Sequence, residues 1–452
     1  MPTYLLFDVG STYTKGCIVD TDCEEILAIA QSETTATTDI SEGIESVKSK
    51  MRNVLATLKI HQTLVCSSAK GGLKMVAVGL VPDLTLKAAT LACYSAGAKV
   101  VGSYSFKLNT SEIEAIDVSG CDILLLCGGT DGGNTEVVLH NATKLTSLQK
   151  RFPILYAGNK SCRDEVMSIL SNAGFDVMPC DNVMPSYGQL EVDSARQKIR
   201  EQFLATITKA KGLTSLRSVL DDIVLPTPYS VMEALKLLSK GTDTEPGLGD
   251  LMAVDIGGAT TDVYSINETF VLRDNVGYKG LREPLEKRSV EGDLGVRFNA
   301  SSVLTLKEQV ADENLKHYVE KISNDIHYPP HPMYDTILAS WCCGIATGRH
   351  AGRLESAYTP LGVSYYQTGK DLRDVAKLIG IGGPILHSDA PIEILSQALA
   401  RAESPEILCP QQLDYYLDRN YVVSCLGLLV PKHPDAVLRI LKKNVEKIND
   451  DQ

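Results

Sequence analysis

The stretch Leu251-Met252-Ala253-Val254-Asp255-Ile256-Gly257-Gly258-Ala259-Thr260-Thr261-Asp262 repeats, in the second half of this 452-residue chain, the pattern of Tyr4-Leu5-Leu6-Phe7-Asp8-Val9-Gly10-Ser11-Thr12-Tyr13-Thr14-Lys15 near its start. Aligned on the aspartates, Val9 matches Ile256, Gly10 matches Gly257, Ser11 matches Gly258 and Thr14 matches Thr261. Each copy opens with a short apolar run of buried-strand type that ends at an acid. A second run follows, Gly16-Cys17-Ile18-Val19 or Val263-Tyr264-Ser265-Ile266, so each copy reads as a β-hairpin with a tip of small residues. Such a tip lets backbone approach a ligand closely, and its N–H groups and hydroxyls make a concave donor surface suited to phosphate oxygens. A carboxylate at the strand end suits Mg²⁺ held through water. One copy alone is as readily an ordinary hairpin; two copies, each headed by an aspartate, favour phosphate binding. Gly158-Asn159-Lys160-Ser161 ends like a Walker loop but lacks its first glycine, and reads as a helix-start loop.

The paired pattern resembles the actin, sugar kinase and seventy-kilodalton heat-shock superfamily, in which duplicated lobes bind ATP between two such loops. The resemblance implies an α/β fold of duplicated actin-like (ribonuclease H-like) lobes around a nucleotide cleft. Three further segments are similar to the family's scheme: Pro226-Thr227-Pro228-Tyr229-Ser230 as the start of a connecting helix, Lys377-Leu378-Ile379-Gly380-Ile381-Gly382-Gly383-Pro384 as an adenosine loop, and Tyr421 to Leu429 as a second connecting helix. Taken singly, a Gly-Gly-Pro after a strand is also a plain turn, and an apolar segment with one glycine is also core.

Narrower strings, Val290-Glu291-Gly292-Asp293-Leu294-Gly295-Val296-Arg297, Gly128-Gly129-Thr130-Asp131-Gly132-Gly133-Asn134, Arg349-His350-Ala351-Gly352-Arg353-Leu354 and Ser68 to Leu80, resemble the glutamate (methylaspartate) mutase accessory family called MutL or GlmL. That resemblance implies an ATPase encoded with adenosylcobalamin-dependent mutases, which reactivates them by exchanging damaged cobalamin. The partner it implies is therefore a mutase subunit.

A formal net charge of −12 argues against a nucleic-acid or anionic-membrane surface, because it repels polyanions at long range. The sequence contains no apolar run long enough to span a bilayer, and a strand begins within a few residues of the first Met, so the expectation is a cytoplasmic protein; an oligomer is compatible with it. Twelve cysteines show no Cys-x-x-Cys pair and no zinc-finger cluster, which reads as buried thiols in a reducing compartment. Cys342-Cys343 keeps open a third reading, because related ATPases that activate hydroxyacyl-CoA dehydratases hold an iron–sulfur cluster between subunits.

Strands alternate with helical stretches along the chain, as in α/β proteins. The organisation expected is a first lobe beginning in 1–71, an inserted or elaborated α/β region in 72–150, a return to the first lobe with a connecting helix in 151–249, and a second lobe in 250–452. Its cofactors would be ATP and Mg²⁺. Asp8 and Asp255 would hold the metal through water, while Gly10, Ser11, Thr12 and Thr14 on one loop and Gly257, Gly258, Ala259, Thr260 and Thr261 on the other bind the β- and γ-phosphates. Lys15 would neutralise phosphate charge, Gly380, Gly382 and Gly383 would meet adenosine, and Asp262 either orients water or metal or makes a structural contact. Glu291 and Asp293 stand in reserve. Hydrolysis would proceed by in-line attack of water, with catalysis from positioning and charge neutralisation. The competing class is a small-molecule kinase, which would draw a base from Asp131, Asp181 or Asp293; a filament-forming actin relative is a third. His350, inside a helix, reads as structural.

Overall fold

In a computed structural model of the chain, residues 2–10, 12–34, 40–68, 73–207, 224–271, 273–360 and 362–449 are described. Ser11, one of the expected phosphate ligands, lies outside the described residues. The chain divides into two units: Met1–Lys70, Lys211–Gly277 and Leu285–Gln452 make the first, and Gly71–Ala210 with Tyr278–Pro284 the second.

The first unit begins with β1 (Thr3–Val9), β2 (Tyr13–Asp20), β3 (Glu25–Glu33) and β4 (Ile60–Ser67). The second contains β5 (Lys74–Val78), β6 (Lys99–Tyr104), β7 (Ile123–Leu126), β8 (Ile154–Tyr156) and β9 (Val177–Pro179). The chain then returns to the first unit through β10 (Val224–Pro226), β11 (Leu251–Ile256), β12 (Thr261–Ile266), β13 (Val276–Tyr278) and β14 (Glu286–Glu291). It ends with β15 (Arg353–Thr359), β16 (Gly362–Thr368), β17 (Lys377–Ile381), β18 (Asp414–Asp418) and β19 (Val445–Ile448).

Each quoted repeat is the centre of one large sheet in the first unit. The first sheet has the order β3-β2-β1-β4-β10 and the second β14-β12-β11-β17-β18-β19. In both, the hairpin strands and the next strand outward are antiparallel (β1·β2·β3, β11·β12·β14), while the strands on the other side run parallel to the first (β4 and β10; β17 and β18). Numbered within each lobe, the shared order is 3-2-1-4-5. The duplication in sequence is thus a duplication of sheet topology, which establishes the two-lobed α/β architecture independently of any resemblance.

The two sheets share one core with the helices Thr227–Lys240 and Pro434–Asn444 and the short helix Val423–Leu426: Leu6, Cys17, Ala253, Tyr264, Val231, Leu235 and Leu426 are all buried in it. The other face of the second sheet is covered by helices Glu313–Asn324 and Pro332–His350, with Val254, Val263, Leu338 and Ala339 inside. At each fully buried aliphatic residue of these sheets, about 1.5–3 kcal/mol of transfer free energy favours the folded state.

The second unit has one fully parallel sheet, β6-β5-β7-β8-β9. Ile123, Leu124, Leu125 and Leu126 in β7 are all buried, as a parallel strand covered on both faces requires. The stretch 151–207 belongs to this unit, because Ile154–Tyr156 continues the parallel ladder beside β7. Tyr278–Pro284 joins it from far along the chain through buried Leu281 and a 2.8 Å ion pair from Glu283 to Lys87.

Candidate functional site

The two hairpin tips are closed by the same backbone hydrogen bond. The Gly10 N–H donates to the Tyr13 carbonyl at 3.0 Å, and the Gly257 N–H to the Thr260 carbonyl at 2.9 Å. A Cβ at Gly10 would lie 2.9 Å from the Tyr13 oxygen, so glycine permits the closure. Cross-strand register sets Asp8 opposite Lys15 and Asp255 opposite Asp262, so both members of each pair point to one sheet face.

Asp8 is 3 % exposed and fully engaged. Its Oδ1 accepts from the Thr227 hydroxyl at 2.7 Å and its Oδ2 from the Ser424 hydroxyl at 2.8 Å. Thr227 opens the helix Thr227–Lys240 and Ser424 sits in Val423–Leu426, so the acid of the first hairpin is oriented by both connecting segments. Asp255, by contrast, has no hydrogen-bond partner among the described residues. Burial, and then Asp262, raise its carboxyl to about 7, with Asp8 and Asp418 adding to the rise and Lys15 opposing it. Asp418, at the end of β18, accepts from the Val422 and Val423 N–H groups at 3.0 Å each, and burial lifts it to about 6.

Lys15 is 9 % exposed, and burial lowers its ammonium against the pull of Asp8, Asp255 and Asp418. Several carboxylates facing one lysine leave the site short of positive charge. That donor set fits a hydrated divalent cation, whose charge would return Asp255 to its ionised form. No group of three or more His, Cys, Asp or Glu that could hold a metal ion occurs among the described residues.

The second tip is braced from behind. Val296 N–H donates to the Gly257 carbonyl at 3.2 Å, Arg297 and Phe298 N–H groups to that of Gly258 at 2.9 and 2.8 Å, and the Asn299 amide to Ala259 at 2.5 Å. A Cβ at Gly295 would come within 2.5 Å of the Ala259 carbonyl carbon. Arg297 is itself fixed by a two-pronged pair with Asp335, both contacts 2.9 Å, and a bond to the Tyr318 hydroxyl. The string from Glu291 to Asn299 is therefore the backing of the second loop.

Several expected residues have other partners. The Thr14 hydroxyl pairs with that of Thr34 at 3.0 Å and the Thr261 hydroxyl donates to the Leu294 carbonyl at 3.0 Å, so both brace their hairpins from inside. Asp262 is held by Arg288 at 2.6 Å, which makes its contact a structural one. Gly380 lies within β17, where a Cβ would press on Leu417, Ile385 and Leu395. Gly382, at φ +100°, is the residue that meets the site: a Cβ there would lie 2.2 Å from the Ile256 carbonyl oxygen and 2.9 Å from Asp255 Oδ1. Gly383 begins the following helix.

Arg349 occupies Glu291 and Asp293 at 2.7 and 2.9 Å. Asp131 accepts from Lys160 N–H and the Asn182 amide at 3.0 Å each. His350 is fully buried between the hydroxyls of Ser289 and Ser265, at 2.7 and 2.9 Å, and burial holds it neutral. Cys342 and Cys343 are both buried, with thiols pushed up to about 12 by burial; an inter-subunit cluster needs exposed thiolates instead. Thr227, Ser424, Asp418 and Tyr421 are site residues that motif reading assigned no role. The two hydroxyls opening apolar helices beside paired acids were the signal available for the first two.

The family described as MutL protein matches residues 4–445. Protein MutL of Clostridium tetanomorphum is 42 % identical over 462 residues, covering 99 % of this chain and all of that one. Among solved structures, a nucleotide-free acetone carboxylase aligns with 94 % of this chain and 69 % of its own at 13 % identity and a TM-score of 0.40. The ADPNP-bound activator of 2-hydroxyisocaproyl-CoA dehydratase from Clostridium difficile aligns over 99 % of both chains at 10 % identity and 0.29. No helix among the described residues is long and apolar enough to cross a membrane. With a family match over nearly its whole length and a full-length relative at that identity, the chain belongs to the MutL family.

Proposed function

We propose that the first unit binds MgATP between the Gly10–Thr12 and Gly257–Thr260 tips, hydrolyses it slowly, and uses the cycle to reactivate an adenosylcobalamin-dependent mutase, glutamate mutase foremost. The observation that carries the nucleotide reading is the pair of tips closed by the same backbone hydrogen bond, each headed by an aspartate, on sheets of the same topology. The Gly10 and Gly257 N–H groups are spent in closing the tips, so the N–H groups of the residues after them bind the phosphate oxygens, and Lys15 balances their charge. Magnesium, held through water by Asp8 and Asp255, would neutralise charge on the β- and γ-phosphates. With Asp262 tied to Arg288, Glu291 and Asp293 tied to Arg349, and the otherwise unpartnered Asp255 assigned to the metal, none of these acids serves as the base, and catalysis rests on positioning, which agrees with slow turnover.

Output follows from Asp8. Because its two oxygens engage Thr227 and Ser424, a shift of the first hairpin on nucleotide binding is transmitted to both connecting segments, a hinge-type transition between the lobes. The mutase partnership is supported by membership of the MutL family, whose resemblance in sequence implies that partner. The test is ATP hydrolysis by the purified chain with and without an inactivated adenosylcobalamin mutase and fresh cofactor. Slow hydrolysis with ATP-dependent recovery of mutase turnover is expected, and Asp255→Ala abolishes both. Hydrolysis without recovery would refute the partnership, and undiminished hydrolysis by Asp255→Ala would refute the site.

A further inference from the structure

Tyr421 has a left-handed backbone, φ +52°, which an aromatic side chain adopts only under constraint. The constraint is visible: the Tyr421 N–H donates to the Asp418 carbonyl at 2.9 Å, and the next two N–H groups are held by the Asp418 carboxylate. This tight turn presents the Tyr421 ring face to the Lys15 ammonium. Lys15 makes no ion pair or hydrogen bond among the described residues, although Asp8, Asp255 and Asp418 surround it and Cys425 and Cys66 lie nearby. Three residues beyond Tyr421, Ser424 holds Asp8, the cross-strand partner of Lys15. One turn between β18 and the second connecting helix therefore addresses both members of the first hairpin's charged pair.

We propose that Tyr421 is a positioning residue for nucleotide binding: its ring holds the Lys15 ammonium clear of the neighbouring carboxylates and available to the terminal phosphates of ATP. An ammonium over an aromatic face is attracted without being neutralised, whereas one locked to a carboxylate would have to break that pair before meeting phosphate. The inference rests on the proposed nucleotide site and names a residue outside its two loops.

The test is equilibrium binding of ATP and of adenosine to the full chain by calorimetry. Tyr421→Leu is expected to weaken ATP about tenfold and to leave adenosine unchanged, because Lys15 meets only phosphate. Tyr421→Phe, which keeps the ring, restores the preference for ATP. Combining Tyr421→Leu with Lys15→Met gives no further loss beyond Lys15→Met alone, as expected of two residues acting through one contact. A Leu variant whose ATP-to-adenosine ratio matches the parent's, or a Phe variant as impaired as Leu, overturns the proposal. Should the Leu variant fail to fold, Tyr421→Gly, suited to this backbone, is held to the same criterion. A parent protein that binds neither ligand would refute the nucleotide site itself, whereas an unchanged ratio in a parent that binds ATP refutes only the role of Tyr421.

Discussion

Replacing Asp255 by Asn should stabilise the metal-free, nucleotide-free protein while destroying its hydrolytic activity. The carboxylate has no donor among the described residues and shares its surroundings with Asp262, Asp8 and Asp418. Its pKa is raised in the folded state from 3.8 to about 7, so the folded protein retains a proton that the unfolded chain releases. The sign follows: below about pH 4 both states are protonated and the site costs nothing, stability falls as pH rises between the two values, and the loss levels off above about pH 7. At about 1.4 kcal/mol per unit, the cost is at most about 1.7 kcal/mol at pH 5 and about 4 kcal/mol at pH 8. Asp255 keeps some solvent contact, which brings the pH 8 figure toward about 2–4 kcal/mol. An uncharged amide removes that cost and can donate to a neighbouring acid. Denaturant unfolding of parent and Asp255→Asn at pH 5 and pH 8, with chelator, reads the difference directly. The variant should gain about 1–2.5 kcal/mol more at pH 8 than at pH 5, and should lose the parent's stabilisation by MgATP. A variant less stable than the parent at pH 8, or one whose advantage does not change with pH, would refute the electrostatic account of the site.

Gly382→Ala forces a Cβ to 2.2 Å from the Ile256 carbonyl at φ +100°; a loss of at least about 2 kcal/mol in urea unfolding and weakened ATP binding are expected. Arg297→Ala leaves Asp335 and the Tyr318 hydroxyl without their cation and unbraces the second tip. About 1–3 kcal/mol should be lost, with KM for ATP raised more than kcat is lowered, and the paired change Arg297→Met with Asp335→Leu should recover most of the stability. Alkylation by iodoacetamide at neutral pH should mark the exposed Cys23 first, and Cys342 and Cys343 only after denaturation, since their thiols sit near 12; rapid native labelling of the pair would reopen the iron–sulfur reading.

The hairpins were legible because their chemistry is local: an apolar run, an acid and a small-residue tip occupy about a dozen consecutive positions. The connecting helix at Thr227 and the strand at Lys377–Ile381 were legible from order along the chain once the hairpins were placed. Partnerships between distant segments were not. Nothing near Asp8 announces that Thr227 and Ser424, 219 and 416 residues away, will hold its two oxygens, because the sheet order that assembles them is set by the whole first unit. The threonines misled for a related reason. Thr14 and Thr261 have the right residue type at the right spacing, but the two-residue period of a strand turns them to the face opposite Lys15 and Asp262. The extent of the second unit was hidden as well, since its last two strands are only three residues long.

Duplicated topology has produced an asymmetric site, and under the proposed function that asymmetry is what would let it act on a triphosphate. The residue seven beyond the aspartate is a lysine in one hairpin and an aspartate in the other, and the latter is cancelled by Arg288. The leading aspartates differ in the same sense. Asp8 is fixed by two hydroxyls from the connecting segments, whereas Asp255 is unpartnered and holds its proton nearly to neutrality. Two copies of either hairpin would fail: a pair of the first kind would place two buried lysines together, and a pair of the second would offer phosphate no cation. Combining them leaves one lysine, one immobilised acid that reports to the connecting helices, and one acid whose charge is costly until a cation arrives. On the proposed reading, binding of a magnesium-bearing anion would relieve Asp255 and engage Lys15 together, so electrostatics would select the metal complex of ATP over the free nucleotide. Phosphate contacts through Lys15 on β2 and hinge contacts through Asp8 on β1 would then meet in one hairpin, which is where a change in nucleotide would first be felt.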